Sequence, residues 1–335
     1  MANDPGLSGD SCLFMEAISG DGGVHQVTGP WWLSPDVELT GPQSGPDVAD
    51  GGEVNPVTVT FHRKPDASGC HFPGDESLNV ELWIAGPSLV MAPRGRRSAS
   101  RVGFIGSPVP PAGGTGTQPF DFTPTAGLPA GDPLSPGPKC LVARSYPSSL
   151  TPSSSSFFVP GDPHVAQHNV VVVRCTAGAS PPRSLCTLKV ATLNPAPAPS
   201  PPNPLQKSRV KLRAVQDLRP TGFVRRTMLK RLQLVTGFRR VRSSPLPGGF
   251  RFDLSGLSAS NVVNHSHSSG PSFPPPPKPP SFEARIELAP RRVLQIPFQA
   301  DLSGAQVGDA CLFHLAQFSV ADVIEGGLTL AMVRL

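Results

Sequence analysis

The sequence predicts an all-β protein made of two tandem immunoglobulin-like antiparallel β-sandwich domains with proline-rich loops. Apolar and polar residues alternate in short runs, which is the pattern of strands buried on one face. The chain contains 43 prolines and 34 glycines, which favour many turns and few long helices. Its 335 residues are also enough for two domains that each bury a core.

The first domain is predicted over residues 31–175, preceded by an N-terminal arm at residues 1–30. Its centre is the stretch 139–174, which contains a buried strand, a serine- and proline-rich loop, and a second strand ending in Val170–Val173. Earlier strands are expected at 36–39, 54–63, 78–84, 102–105 and 120–122. Seven short strands separated by turn residues are typical of a Greek-key sandwich.

The second sandwich is predicted over residues 185–335, after a junction of small residues at 176–184. It contains two polyproline segments, 194–204 and 271–280, which have neither helical nor strand character. The first is either an interdomain linker or a loop, and a loop is preferred. The second is either a ligand for an aromatic groove or a stiff loop, and again the loop is preferred. Strands are expected at 186–193, 209–213, 250–254, 282–288, 293–298, 311–318 and 328–333, with a polar loop at 255–269.

Four sequence motifs resemble the immunoglobulin-like, CARDB-type β-sandwich modules of bacterial multidomain proteins. They are Trp32-Leu33-Ser34-Pro35-Asp36, Val80-Glu81-Leu82-Trp83 with Pro87-Ser88, Lys139-Cys140-Leu141-Val142-Ala143-Arg144, and Asp162-Pro163-His164 with Gln167, Asn169 and the valine run. The resemblance covers residues 31–174. It implies a binding or spacer module that has no catalytic residues of its own.

Residues 207–242 form a strongly basic segment within a chain whose formal net charge is +5. One interpretation is a phosphate-binding stripe for nucleic acid or another polyanion, with Phe223 and Phe238 available for stacking. The preferred interpretation is a solvated face that meets acidic residues of this chain or of a second copy. Two related sequences, at 221–226 and 236–240, predict two turn-and-strand units. The candidate contact residues are Lys207, Arg209, Lys211, Arg213, Arg225, Arg226, Lys230, Arg231, Arg239, Arg240 and Arg242.

The residues that could carry chemistry form no recognisable catalytic set. His164 and His168 have the spacing of metal ligands on a helix, but Pro163 disfavours the helix, so hydrogen-bonded loop histidines are preferred. Nucleotide-binding glycine loops and a nucleophile elbow are absent from the sequence. We therefore expect no enzyme activity, no cofactor and no bound metal. The six scattered cysteines are expected to be free and buried.

The amino-terminal residues lack a basic region followed by an apolar one, so no secretory signal is predicted in the printed chain. The protein is expected to be cytoplasmic or exported by a non-standard route, and no membrane span is expected. The preferred function is that of a structural or interaction protein that contacts other proteins and self-associates into an oligomer or filament. Nucleic-acid binding through residues 207–242 is the alternative.

Overall fold

A computed structural model describes the chain at residues 5–7, 12–24, 30–39, 48–49, 54–66, 69–70, 76–92, 99–125, 127–128, 132, 134, 137–152, 157, 159–176, 185–195, 207–233, 235–257, 262–267, 279–290 and 292–335. The fold is nearly all β, which confirms the predicted class. The chain divides into two compact units, residues 1–169 and 170–335.

The strands of the first unit are β1 (Leu13–Phe14), β2 (Val37–Leu39), β3 (Val48–Ala49), β4 (Asn55–Arg63), β5 (Ser77–Ala85), β6 (Ser100–Pro108), β7 (Thr115–Phe122), β8 (Gly137–Pro138), β9 (Cys140–Pro147) and the first half of β10 (Val165–Cys175). Two main sheets enclose one hydrophobic core, and β3 and β8 form a separate two-stranded sheet. In the first main sheet, β4 pairs with β7 and with the short strands β1 and β2. The second main sheet has the order β6, β5, β9, β10.

Alternation along the strands builds this core. Val57, Val59 and Phe61 point inward from β4, the central strand of the first sheet. Val80 and Leu82 of β5 meet them from the second sheet. The predicted strands at 54–63, 78–84, 102–105 and 120–122 are therefore confirmed, and the central pair joins β9 to β10 as expected.

The elements of the second unit are β11 (Leu185–Leu193), β12 (Ser208–Asp217), α1 (Gly222–Leu232), β13 (Arg240–Val241), β14 (Phe250–Phe252), β15 (Val262–His267), β16 (Ser281–Leu288), β17 (Val293–Asp301), β18 (Asp309–Phe318) and β19 (Ile324–Arg334). The strands form two sheets. The larger has the order β15, β16, β12, β18, β19 and the second half of β10, with β13 beside β18. The smaller has the order β11, β17, β14.

Aromatic side chains fill the interior of the second unit. Phe298 of β17 lies 5.5 Å from Phe252 and 5.2 Å from Phe313, measured between ring centroids. Both pairs are edge-to-face, the arrangement that aromatic quadrupoles favour. Since Phe298 belongs to the smaller sheet and Phe313 to the larger, these contacts join the two sheets.

The division between the units lies inside a strand, before the predicted junction. Residues 165–169 of β10 pair with β9, whereas Val170–Cys175 pair in parallel with β19. The valine run therefore belongs to the second unit, because its backbone partners are the last strand of the chain. Of the junction at 176–184, all residues but Thr176 lie outside the described residues, as do most of both polyproline segments.

Two local predictions are wrong. Residues 222–232 form an α-helix, not a turn and strand, because the Thr221 side chain accepts a hydrogen bond from the backbone N–H of Val224 and caps the helix. Val224, Met228 and Leu232 then recur every four residues on one buried face. The supposed polar loop at 255–269 contains strand β15, which pairs with β16.

The prediction of free cysteines is wrong for four of the six. Cys12 is bonded to Cys70, and Cys175 is bonded to Cys186, with Cα atoms 5.0 and 5.5 Å apart. Strand pairing accounts for the first bridge, since β1 places Cys12 beside Lys64 at the end of β4, and Cys70 lies a few residues further along the chain. The other two, Cys140 and Cys311, are free and buried as expected.

Candidate interaction surface

A cluster of charged and aromatic residues lies on the face of β5 that points away from the core. Because Val80, Leu82 and Ile84 face the core, Glu81 and Trp83 point to the opposite face. The sheet register places Glu81 opposite Arg144 of β9 on one side and opposite Phe104 of β6 on the other. Strand pairing thus brings the three side chains into one row.

Glu81 is the electrostatic centre of this cluster, although it is only 4% exposed. Its Oε2 accepts hydrogen bonds from Arg144 Nη2 at 2.6 Å, Arg144 Nε at 3.1 Å and Trp83 Nε1 at 3.2 Å. Its Oε1 accepts one from the Tyr146 hydroxyl at 3.3 Å. These donors compensate the carboxylate for the water that it loses on burial.

Burial raises the pKa of Tyr146 to about 12, and the nearby charge of Glu81 contributes to this increase. The phenol therefore remains protonated at neutral pH and continues to donate its hydrogen bond. Its contribution to the cluster is consequently a fixed structural one at pH 7.

The cluster extends from the protein interior to its surface through arginine–ring stacks. The Arg144 guanidinium lies 5.5 Å from the ring centroid of buried Phe157. Arg101, on the outside, lies 5.8 Å from the ring centroids of both Trp83 and Phe104, and its Nη1 is 3.6 Å from Glu81 Oε1. Phe104 is 49% exposed. A surface aromatic–arginine pair is thus anchored to a buried ion pair.

A β-bulge explains how Arg101 reaches this position. Leu82 pairs with Gly103, but the next residue, Trp83, pairs with Arg101, so Val102 is an extra residue in β6. Bulges of this kind redirect side chains at sheet edges. Here the shift sets Arg101 beside Trp83.

The amino-acid sequence alone does not predict this surface. The alternation in β5 correctly indicates that Trp83 and Glu81 share a face, but it does not identify the residues of neighbouring strands that contact them. The available signal is that outward positions of two predicted strands hold Glu81, Trp83, Arg144 and Tyr146, residue types that form buried polar clusters when their strands are neighbours.

The basic segment is divided between ion pairs and exposed side chains. Five of its candidate contact residues lie near carboxylates of the same unit: Arg209 near Glu287, Lys211 near Asp322, Arg213 near Glu283, and Arg240 and Arg242 near Asp309. Arg225, Arg226 and Arg239 are exposed, as is Lys207, whereas Arg231 is buried. The Lys230 side chain and the ring of Phe223 lie outside the described part.

The two histidines considered as metal ligands are buried and point to different partners. His164 Nδ1 lies 2.9 Å from Asp162 Oδ1, and His168 Nδ1 lies 2.7 Å from the carbonyl oxygen of Ser34. Burial lowers the pKa of His168, so its imidazole is neutral at pH 7. His168 lies in β10 and not in a loop, but its hydrogen bond to the backbone is as predicted.

Comparison with known proteins gives no family. No protein-family description matches this chain, and no curated protein does. Solved structures with some similarity include collagen adhesin from S. aureus (8% identity, 88% of this chain and 96% of that chain, TM-score 0.20) and red sea bream transglutaminase (12% identity, 92% and 32%, TM-score 0.19). A third is a structure of manganese lipoxygenase of Gaeumannomyces graminis, reported with part of zonadhesin of Komagataella pastoris. It has 11% sequence identity, covers 85% of this chain and 92% of that chain, and has a TM-score of 0.18.

TM-scores this low carry no argument about function. The resemblance of residues 31–174 to CARDB-type modules therefore stays a prediction. In the described part of the chain, no helix combines the length and the apolar character needed to cross a membrane.

Proposed function

We propose that this chain is a non-enzymatic β-sandwich protein that makes protein–protein contacts, and that it self-associates through the open edge of strand β6. The first unit then acts as a binding module of the kind that the CARDB-type resemblance implies. The observation that carries the proposal is the edge strand itself, with Phe104 and Arg101 on its outer face.

Strand β6 is the last strand of its sheet. It pairs with β5 on one side, and among the described residues no strand pairs with its other side. An unpaired edge presents backbone N–H and C=O groups that can extend the sheet into another chain. Proline lies only at the end of this strand, at Pro108, so the backbone donors before it are retained.

Of the side chains beside the edge, Arg101 and Phe104 are exposed, whereas Trp83 and Tyr146 are buried within the unit. Arginine and aromatic residues are enriched at protein–protein interfaces. Here Arg101 is held against Trp83 and Phe104, so little side-chain freedom remains to be lost on binding. The buried Glu81–Arg144 pair holds Trp83 and Arg101 in position from the interior side of the cluster.

A second copy of the chain fits this edge because an antiparallel strand pair is self-complementary. Two β6 strands related by a twofold axis near Phe104 would exchange equivalent hydrogen bonds and bury both phenylalanine rings. One surface would then serve both partners, without a second specialised site.

Replacement of Gly106 by lysine is expected to weaken dimerisation by about tenfold or more. A twofold axis near Phe104 places position 106 beside Arg101 of the second copy, so two like charges would lie close together. Gly106 is exposed, and a Cβ added there meets no atom within 4 Å, so the variant should fold normally. The measurement is sedimentation velocity of the purified chain over a wide range of concentrations. Wild-type protein should show a reversible monomer–dimer equilibrium.

Gly256→Lys is the matched control. It adds the same charge at an exposed glycine of the second unit that also has nothing within 4 Å of an added Cβ. A wild-type chain that is monomeric at every concentration, or an equal loss in both variants, would reject the edge contact. Binding of nucleic acid by the monomer, falling steeply with salt and unchanged by Gly106→Lys, would favour the basic segment instead.

A further inference from the structure

Three potential metal ligands that are far apart in the sequence lie close together at one end of the first unit. Glu16 lies just after β1, Asp36 precedes β2, and His62 lies near the end of β4. Strand pairing brings them together: β1 places Phe14 opposite His62, and the Asp36 carbonyl accepts a hydrogen bond from the backbone N–H of Thr60. One ligand atom from each residue lies within 4.8 Å of the other two.

We propose that Glu16, Asp36 and His62 bind a divalent first-row transition metal of the zinc type. One imidazole nitrogen with two carboxylates is a ligand set suited to such ions, and three protein ligands leave a position for water. The ligands of a tetrahedral zinc ion lie about 3.3 Å apart. The distance from His62 Nε2 to Asp36 Oδ1 is 3.2 Å, which needs little adjustment.

The surroundings of His62 orient the ring for this role. Its Nδ1 lies 3.1 Å from the Thr115 hydroxyl, which leaves Nε2 directed at the carboxylates. The Phe14 ring stacks on the imidazole at 5.0 Å between centroids. Histidine ligands commonly have such an outer partner on the second nitrogen, which fixes the ring and its tautomer.

The two carboxylates are also held in place while the site stays accessible. Asp36 Oδ2 accepts a hydrogen bond from the Glu16 backbone N–H at 2.5 Å, and Glu16 Oε2 accepts one from the Gly20 N–H at 2.9 Å. The His62 side chain is 19% exposed, so an ion can enter from solvent. The carboxylates of Asp36, Glu16 and Asp21 all act electrostatically on His62, which gives the site a negative potential.

The test is calorimetric titration of the full chain with zinc chloride, supported by the visible spectrum of the cobalt(II) form. Wild-type protein should bind one equivalent. We expect His62→Gln and Glu16→Gln to weaken binding by at least about tenfold, and Thr115→Val by about tenfold, because loss of an outer-shell partner alone costs about 10–100-fold. Far-ultraviolet dichroism verifies that each variant is folded.

His314→Gln in the second unit is the matched control. His314 also lies between an aspartate and a threonine, 2.9 Å from Asp217 Oδ2 and 3.0 Å from Thr329 Oγ1. Within the described residues, however, the three-ligand group at His62 is the only one of its kind. Zinc binding should therefore survive in this variant. The absence of saturable binding by wild-type protein, or full binding by folded His62→Gln, would overturn the proposal.

Discussion

Replacement of Arg144 by methionine is expected to lower the free energy of unfolding by about 3–5 kcal/mol. Glu81 is buried and receives two of its shortest hydrogen bonds from this guanidinium. Without them a carboxylate remains away from water with fewer donors, and this costs more than the pair contributes when intact. Urea unfolding, monitored by tryptophan fluorescence and dichroism, measures the change.

The control is Arg209→Met, which removes the arginine of an ion pair between Arg209 and Glu287, on neighbouring strands at the surface of the second unit. Because this pair is solvated, the loss should stay below about 1 kcal/mol. The double variant Glu81→Leu with Arg144→Met should recover much of the lost stability, since no buried charge is left without its partner. Equal losses of unfolding free energy in Arg144→Met and Arg209→Met would contradict the burial of the Glu81 carboxylate.

Replacement of Lys139 by methionine should act in the opposite direction and raise the free energy of unfolding by about 3 kcal/mol at pH 7. Lys139 is 2% exposed, and burial lowers its pKa from 10.5 to about 8. Its Nζ donates to the carbonyl oxygen of Asp132 at 3.4 Å, a long hydrogen bond that offsets little of this cost. Methionine occupies a similar volume without a charge.

The pH dependence separates this cause from a general packing effect. Below about pH 8 the lysine is protonated in the folded and unfolded chains, so the whole cost of the buried charge is present. Between about pH 8 and 10.5 only the unfolded chain keeps the proton, so the wild-type protein gains stability and the difference closes. Lys189→Met, at an exposed position of β11, should change little at any pH. A gain at Lys139→Met that is independent of pH would contradict this account.

Most strands can be placed from the sequence, since alternation reports directly which residues share a face. Alternation does not assign partners to them. Val170–Val173 has the pattern of a buried strand, but four valines fit any interior sheet, and their pairing with β19 depends on residues far away in the chain. The contact between Glu81 and Arg144 is hidden for the same reason, because it exists only in the register that joins β5 to β9.

Helix α1 escapes prediction for a different reason. Its signals are readable, with Thr221 as a cap and apolar residues at four-residue spacing, but the likeness between 221–226 and 236–240 favours one structure for both. The second segment contains Gly237 at a φ of +86°, where glycine is favoured and a turn forms. The residues that follow decide between helix and turn: buried Met228 and Leu232 continue the first segment as a helix, whereas Pro245 and Pro247 come after the second.

The disulfides connect the fold to the chemistry of its surroundings. Each bridge closes a loop inside one unit, with a sequence separation of 58 residues in the first and 11 in the second. Closing the longer loop removes more freedom from the unfolded chain, so glutathione or another thiol reductant would loosen the first unit more than the second. The molecule with both bridges intact is thus suited to an oxidising compartment.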